Sequence, residues 1–514
     1  MPVTNEHSLY AEFRKQWEEI RDCVGGNAAI KARSTRYLPM LSGQSPEDYE
    51  RYQKKVKFFG ATGRALEGLH GNIFRKAPIF SSVKTDSFSD SLEDVDMLGT
   101  NIDQFASDLI WDSLQTNWGG ILVDYARGTE AVSRLDAEKQ GLRAYMKYYT
   151  AEQFINWDYK VINGKMRLAL VVVREPYTEP MENDRFSHKQ YVKYRVLYLD
   201  GDGKYAQEVY DEKVSLEVPS EKIEPKLNGM RLDEIPFYCV PGNIPEKSML
   251  YDLAQLNLQH YQDTADYQNG KHYTSIPTPI AIGLQPEYGD DGKPKPMYIG
   301  GTKFLFFPNE AGVSGADVKF LEFSGSGMKA LAEGIEHIES QMSILGAHII
   351  AAEKKGVETA EALRIHRMGE NGVLAAFTRN ISDQITKALK MKGLWDGEKE
   401  ADMDEFTVAF NTDYDVSEEN IQTLSALLTG RASGEIPRIS VFMGLKNLQL
   451  IPEDWDYDIF LMEIEKDKSL MELPPMQEKD PAQEDPAPDL EEDDPEEDPE
   501  EDPAPPDPKK KKQE

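Results

Sequence analysis

Cysteine and long apolar runs are both scarce in this 514-residue chain, and each shortage excludes something. Only Cys23 and Cys239 are present, far apart in sequence, so neither a disulfide framework nor a multi-cysteine metal site is available. Two inert, buried thiols in a reducing compartment are expected. No stretch reaches the roughly 18 apolar residues of a membrane helix. The opening MPVTNEHSLYAEFRKQ holds no apolar signal core, so a soluble, unsecreted protein with no membrane partner is expected. The P-loop pattern G-x-x-x-x-G-K-[ST] is missing, and Gly60-Ala61-Thr62-Gly63 falls inside a helical pattern, where it is no dinucleotide fingerprint. His337 and His348 are eleven residues apart and lack the i, i+4 partner of a zinc helix, and His366 has no nucleophile beside it. Acids are abundant, but none is concentrated with histidine at a strand end, as a metal-dependent nuclease would need. No enzyme, catalytic residue, cofactor or metal is expected.

What is present is acid. The formal charge is −33, of which residues 471–514 supply −13 through 18 Asp or Glu against 5 Lys. Residues 1–80 are the exception, with 13 Lys or Arg against 9 acids. A chain this acidic has no basic footprint for tight phosphate neutralisation, so any DNA it meets is guided and not gripped.

The patterns predict an α+β chain. Ser45-Pro46-Glu47-Asp48 is a capping signature, and Tyr49, Tyr52, Val56, Phe59, Gly63 and Leu66 continue it as one helical stripe. Arg51, Lys54, Lys55 and Lys57 lie mostly off that stripe, as a solvated face or a contact for an acidic partner. A helix is predicted over Asn101 to Asn117, breaking at Gly119-Gly120 before a strand over Ile121–Tyr125. Period-two patterning then predicts hairpins at 154–173, around Asn163-Gly164, and at 194–210, around Asp200-Gly201-Asp202-Gly203. The latter reads as a plain turn, because the sixth position of a calcium loop would be Tyr205 and not glycine.

A long helix is expected from Ser248 to Gly270, then strands over 276–283, 303–307 and 318–323. Ser324-Gly325-Ser326-Gly327 follows as a flexible joint. Met328, Leu331, Ile335, Ile338, Met342, Leu345 and Ile349 then form a heptad seam with Glu333, Glu336 and Glu339 on its polar sides. After Lys354-Lys355-Gly356, helices carrying Leu363, Leu374, Phe377, Ile381, Ile385 and Leu389 are expected to end at Gly393, before a compact unit over Phe406–Leu461. The Asp-Pro repeats beyond Glu472 predict a disordered acidic tail over 471–514.

Several phrases, in their order across residues 10–465, resemble one branch of the tailed-bacteriophage portal family. They are Arg36-Tyr37-Leu38-Pro39, Gly119-Gly120-Ile121-Leu122-Val123-Asp124-Tyr125, Phe154-Ile155-Asn156-Trp157, Asp252-Leu253-Ala254-Gln255-Leu256-Asn257-Leu258-Gln259-His260-Tyr261 and Glu358-Thr359-Ala360-Glu361-Ala362. The resemblance implies a ring of about twelve subunits at one capsid vertex of a virion, assembled in the host cytoplasm. Its channel would carry double-stranded DNA during packaging and ejection. Terminase, major capsid and scaffolding proteins, and head-tail adaptors are the implied partners. Carried over, residues 1–245 correspond to a β-rich wing with part of stem or clip, 248–270 to a stem helix, 276–323 to a β-rich return to the wing, 324–350 to a tunnel loop with its helix and 358–470 to a helical crown. The DNA-facing loop is then Ser324, Gly325, Ser326, Gly327, Met328 and Lys329. Another non-enzymatic virion protein, an adaptor or a minor head protein, is the alternative, and a nuclease or other hydrolase is a third reading that predicts metal-dependent turnover.

Overall fold

In a computed structural model of the chain, Ser45 starts a helix as its capping signature requires: its hydroxyl accepts from the Asp48 amide at 3.2 Å and donates to the Asp48 carboxylate at 2.8 Å. The residues described are 2–81, 85–126, 141–162, 164–181, 184–274, 278–284, 286–290, 295, 297–299, 302–303, 305–307, 315–321, 326–350, 360–412, 414, 418–447, 451 and 455–471. Residues 1–415 and 416–514 form two separate units.

Four helices open the first unit: α1 (Ser8–Val24), α2 (Gly26–Ala32), α3 (Pro46–Lys55) and α4 (Ala61–Ile73). The single stripe expected from Tyr49 to Leu66 is therefore two helices. Val56 turns extended, and burial over the joint has a period of two, with Val56 and Phe58 inside and Phe59 exposed. Gly60-Ala61-Thr62-Gly63 thus opens α4 instead of lying within a longer helix, and its Thr62 amide is occupied by the Asn257 side-chain oxygen at 3.2 Å.

Beyond β1 (Ile79–Ser81) and α5 (Asp86–Leu92), α6 (Ile102–Thr116) runs between two asparagines. Asn101 caps its start and Asn117 ends it in the left-handed region, so the stop is Asn117 and not Gly119-Gly120. Both glycines instead belong to β2 (Gly119–Tyr125), which sits between β3 (Ala144–Thr150) and β11 (Phe237–Val240) in an antiparallel sheet. A methyl group at Gly120 would overlap the Phe237 ring, and one at Gly119 the Tyr148 ring. Gly120→Ala is accordingly expected to cost roughly 1–3 kcal/mol by overpacking. The helical Gly71, with open space around it, should accept alanine without loss. Denaturant melts of the two variants compare them directly, and equal midpoints would refute the packing role.

The second sheet is an antiparallel meander of β4 (Phe154–Ile162), β5 (Lys165–Met181), β6 (Asp184–Leu199), β7 (Tyr205–Asp211) and β8 (Glu221–Ile223). Gly164 takes φ +74° in the first hairpin, while Asn163 lies outside the described residues. In the second, the Asp200 carboxylate accepts from the Asp202 and Lys204 amides, both at 3.0 Å, which makes it a plain turn. β5 and β6 extend well beyond the expected ends at Val173 and Tyr194. Trp118 stacks on Phe154, and Trp157 packs tilted against both, at the junction of the two sheets. Two short strands, β9 (Lys226–Leu227) and β10 (Met230–Arg231), form a separate small hairpin.

Next come α7 (Tyr251–Thr274), then β12 (Thr278–Ile282), β13 (Tyr298–Ile299), β14 (Thr302–Lys303), β15 (Leu305–Phe307) and β16 (Asp317–Leu321), then α8 (Ser326–Ile350). β12 is the centre of a small sheet between β15 and β16. Lys354-Lys355-Gly356 lies outside the described residues, and α9 (Ala360–Asp396) is one helix that continues through Gly393. Gly393 marks close approach, since a Cβ there would overlap Met403. The stop is Gly397 at φ +93°. Leu374, Phe377, Ile381, Ile385 and Leu389 are buried, and α9 packs on the β2–β3–β11 sheet.

α10 (Glu400–Glu405) follows, and β17 (Thr407–Ala409) pairs with β1 through Ile79 and Ala409. The compact unit expected over Phe406–Leu461 is therefore divided, with β17 belonging to the first unit. The second unit holds α11 (Glu418–Ala432), α12 (Arg438–Asn447) and α13 (Tyr457–Met471), with Phe442 against Tyr457 and Phe460 at its centre. The acidic stretch 472–514 lies outside the described residues.

Candidate functional site

The segment expected to form a DNA-facing loop is in large part helical. Ser324 and Gly325 lie outside the described residues, but Ser326, Gly327, Met328 and Lys329 form the first turn of α8. Within that turn Met328 packs so closely on Gly270 that a methyl group there would fall 2.6 Å from the Met328 sulfur. Gly327 and Lys329 face solvent, Lys329 with its side chain 80% exposed. The two cations of this region are each beside an acid, Lys329 3.7 Å from Glu333 and Lys319 3.0 Å from Asp317. At such exposure these pairs are weak and screened by salt, so both lysines can exchange partners.

Gly270 against Met328 and His260 against Glu339 show that α7 and α8 run antiparallel. The small sheet of β12, β15 and β16 lies at the end where α7 finishes and α8 begins. α4 and the joint before it brace the opposite end, through Thr62 bonded to Asn257 and the Phe59 ring 5.9 Å from that of His260. Of the heptad seam, Ile338 and Met342 are fully buried, Met328, Leu331 and Ile335 half-buried, and Leu345 exposed; the Ile349 side chain is outside the described set. Of the three glutamates placed on the polar sides, Glu339 reaches across to the buried His260, Nε2 to Oε1 at 3.1 Å.

One buried charge cluster was not legible in the sequence. Glu175 on β5 accepts from Lys147 at 2.7 Å and from the Tyr149 hydroxyl at 2.5 Å, and pairs with Arg195 on β6 at 3.3 Å. Arg195 also donates to Gln207 at 2.9 Å. Burial by itself would raise the Glu175 carboxyl, but Arg195 and Lys147 outweigh it and hold it down at about 2. These contacts tie β3, β5, β6 and β7 together. Burial pushes the Cys239 thiol up to about 12 and raises that of Cys23 as well. Both cysteines are buried, as expected of inert thiols. His337 is exposed on α8, and the side chains of His348 and His366 lie outside the described residues. Among the described residues no helix is long and apolar enough to cross a membrane.

A family model described as "Domain of unknown function (DUF4055)" matches residues 249–396, the stretch from α7 to the end of α9. No curated protein matches the chain. Among solved structures, the chain is similar to one titled "Virion of native gene transfer agent (GTA) particle", at 14% identity and a TM-score of 0.34, over 76% of this chain and 90% of that one. It is also similar to one titled "Neck of empty GTA particle computed with C6 symmetry", at 12% identity and a TM-score of 0.37, over 80% and 95% of the two chains.

Proposed function

We propose that this chain is a structural subunit of a phage-like virion, and specifically a portal that forms a ring of about twelve copies around a DNA channel. The observation that carries the reading is the antiparallel α7–α8 pair, braced by α4 at one end and bearing a small sheet at the other. In a portal this pair would be the stem, which makes α8 a second stem helix and not the support of a separate tunnel loop. The sheet of residues 278–321 would stand in place of the clip, and the wing would comprise the sheets before Val240. Residues 326–329 would then lie where stem meets clip, with Gly327 and Lys329 turned to the channel.

Charge supports the same reading. A ring of chains at −33 each repels the phosphate backbone, so DNA slides with little sticking, and lysines such as Lys329 offer only passing contacts. Terminase, capsid and adaptor proteins would dock on the outside of such a ring. Negative-stain images of the purified full chain test the proposal. Rings of about twelve subunits with an axial hole are expected; discrete monomers or dimers would reject the portal and leave an adaptor or minor head protein.

A further inference from the structure

Four Asn-Gly pairs occur in the chain, at 163–164, 228–229, 269–270 and 371–372. Asn163 lies outside the described residues, and the fold puts the other three in two unlike settings. Asn269-Gly270 lies within α7 and Asn371-Gly372 within α9. Asn228-Gly229 is instead the exposed tip of the β9–β10 hairpin, with Asn228 at φ +53° and Gly229 at φ +80°. Two successive positive values between paired residues make a type I′ turn, which Asn-Gly favours.

An asparagine followed by glycine holds an electrophile and a nucleophile side by side. Attack of the glycine nitrogen on the asparagine Cγ closes a five-membered ring, and glycine has no Cβ to obstruct it. Within a helix that nitrogen donates to the carbonyl four residues back and the backbone is fixed, so the ring cannot close. The turn leaves the nitrogen freer, because its own backbone bond joins Leu227 to Met230 and the Gly229 N–H is left to water. A left-handed Asn228 still directs the nitrogen away from its Cγ, so the reaction needs the tip to open.

Opening is easy here. β9 and β10 have two residues each and pair only with one another, Leu227 with Met230 and Lys226 with Arg231. So short a ribbon is marginal in water. Its anchors are at the base: the Lys226 carbonyl accepts from the Trp395 indole at 3.3 Å, and Arg231 pairs with Asp200 at 2.7 Å and donates to the Tyr205 carbonyl at 3.1 Å. The tip can therefore open while the base stays in place.

We propose that Asn228 is a site of spontaneous covalent modification, deamidation through a cyclic imide. The Gly229 nitrogen loses its proton to solvent base and bonds to the Asn228 Cγ; the Cγ–Nδ2 bond breaks and that nitrogen leaves as ammonia. Water then opens the imide at either carbonyl. Breaking the new bond at Cγ gives aspartate, and breaking the original peptide bond gives isoaspartate, with the main chain rerouted through Cγ. The sum is asparagine plus water to aspartate or isoaspartate plus ammonia, with nothing oxidised or reduced. Each conversion adds one negative charge at the tip, and isoaspartate lengthens the turn by a methylene, which breaks the pairing of Leu227 with Met230. The inference stands apart from the ring reading.

The test holds the folded full chain in mildly alkaline heavy-oxygen water, then denatures it, digests it in ordinary water and maps the peptides by mass spectrometry. The heavy oxygen marks conversions that took place in the folded protein. Uptake at Asn228, as two products of equal mass, is expected at least tenfold faster than at Asn269 or Asn371. The same incubation in urea should bring the three sites to similar rates. Uptake at Asn228 no faster than at the two helical sites in the folded chain overturns the proposal, since the hairpin then stays closed. A tenfold preference that persists in urea overturns it as well, because the flanking sequence and not the turn then sets the rate.

Discussion

Ile338→Asp is expected to lose about 3–5 kcal/mol of stability, the cost of leaving an unpaired charge in a desolvated site. Ile338 is 4% exposed and belongs to the same buried core as Leu258, Tyr261 and Met342, so a carboxylate there would be stripped of water. The same helix supplies the control. Ile344, six residues on, is 55% exposed, and Ile344→Asp should stay within about 0.5 kcal/mol of wild type. Urea unfolding of both variants separates a helix packed on α7 and α4 from one that floats. Matching midpoints for the two would mean that the seam is solvated along its whole length.

Glu175→Gln is expected to cost a similar ~3–5 kcal/mol at neutral pH, because Arg195 and Lys147 lose their counter-charge inside the sheet. The loss should depend on pH with a definite sign. The folded carboxyl is held at about 2, below its ordinary value of 4.5, so its stabilising contribution is complete above about pH 4.5. That contribution disappears as the pH falls towards 2, and by linkage it amounts to ~3 kcal/mol. Wild type and Glu175→Gln should therefore differ most at pH 7 and converge only as the pH nears 2, read as unfolding free energies across that range. A gap of constant size would show that the ion cluster does not carry the difference.

The cluster also shows why some of this site was beyond sequence reasoning. Glu175, Lys147 and Arg195 lie on three different strands, and no local pattern says which alternate positions will face one another. The segment expected to face DNA stood out as a composition, Ser-Gly-Ser-Gly before a heptad seam, but its last four residues are the first turn of α8, where Met328 packs on Gly270. The spacing of the seam was legible, and Met328 to Leu345 do lie on one helix, α8. Which of its members are buried was not, because that depends on where α7 and α4 stop covering α8.

What the sequence by itself determined is what nearest neighbours decide. The Ser45 cap, the Asn101 start of α6, the turns at Gly164 and Asp200, and the alternation of β4 to β7 each follow from short-range hydrogen bonding or steric limits on φ. Only the tertiary structure decided the meaning of Gly119, Gly120 and Gly393, which read as helix breakers and instead admit Tyr148, Phe237 and Met403. It likewise decided the pairing of β1 with β17, more than 300 residues away, and the bond between His260 and Glu339. The reason is physical: a cap or a turn is satisfied within a few residues, whereas a close approach, a strand partner or a buried ion pair exists only after distant segments have packed.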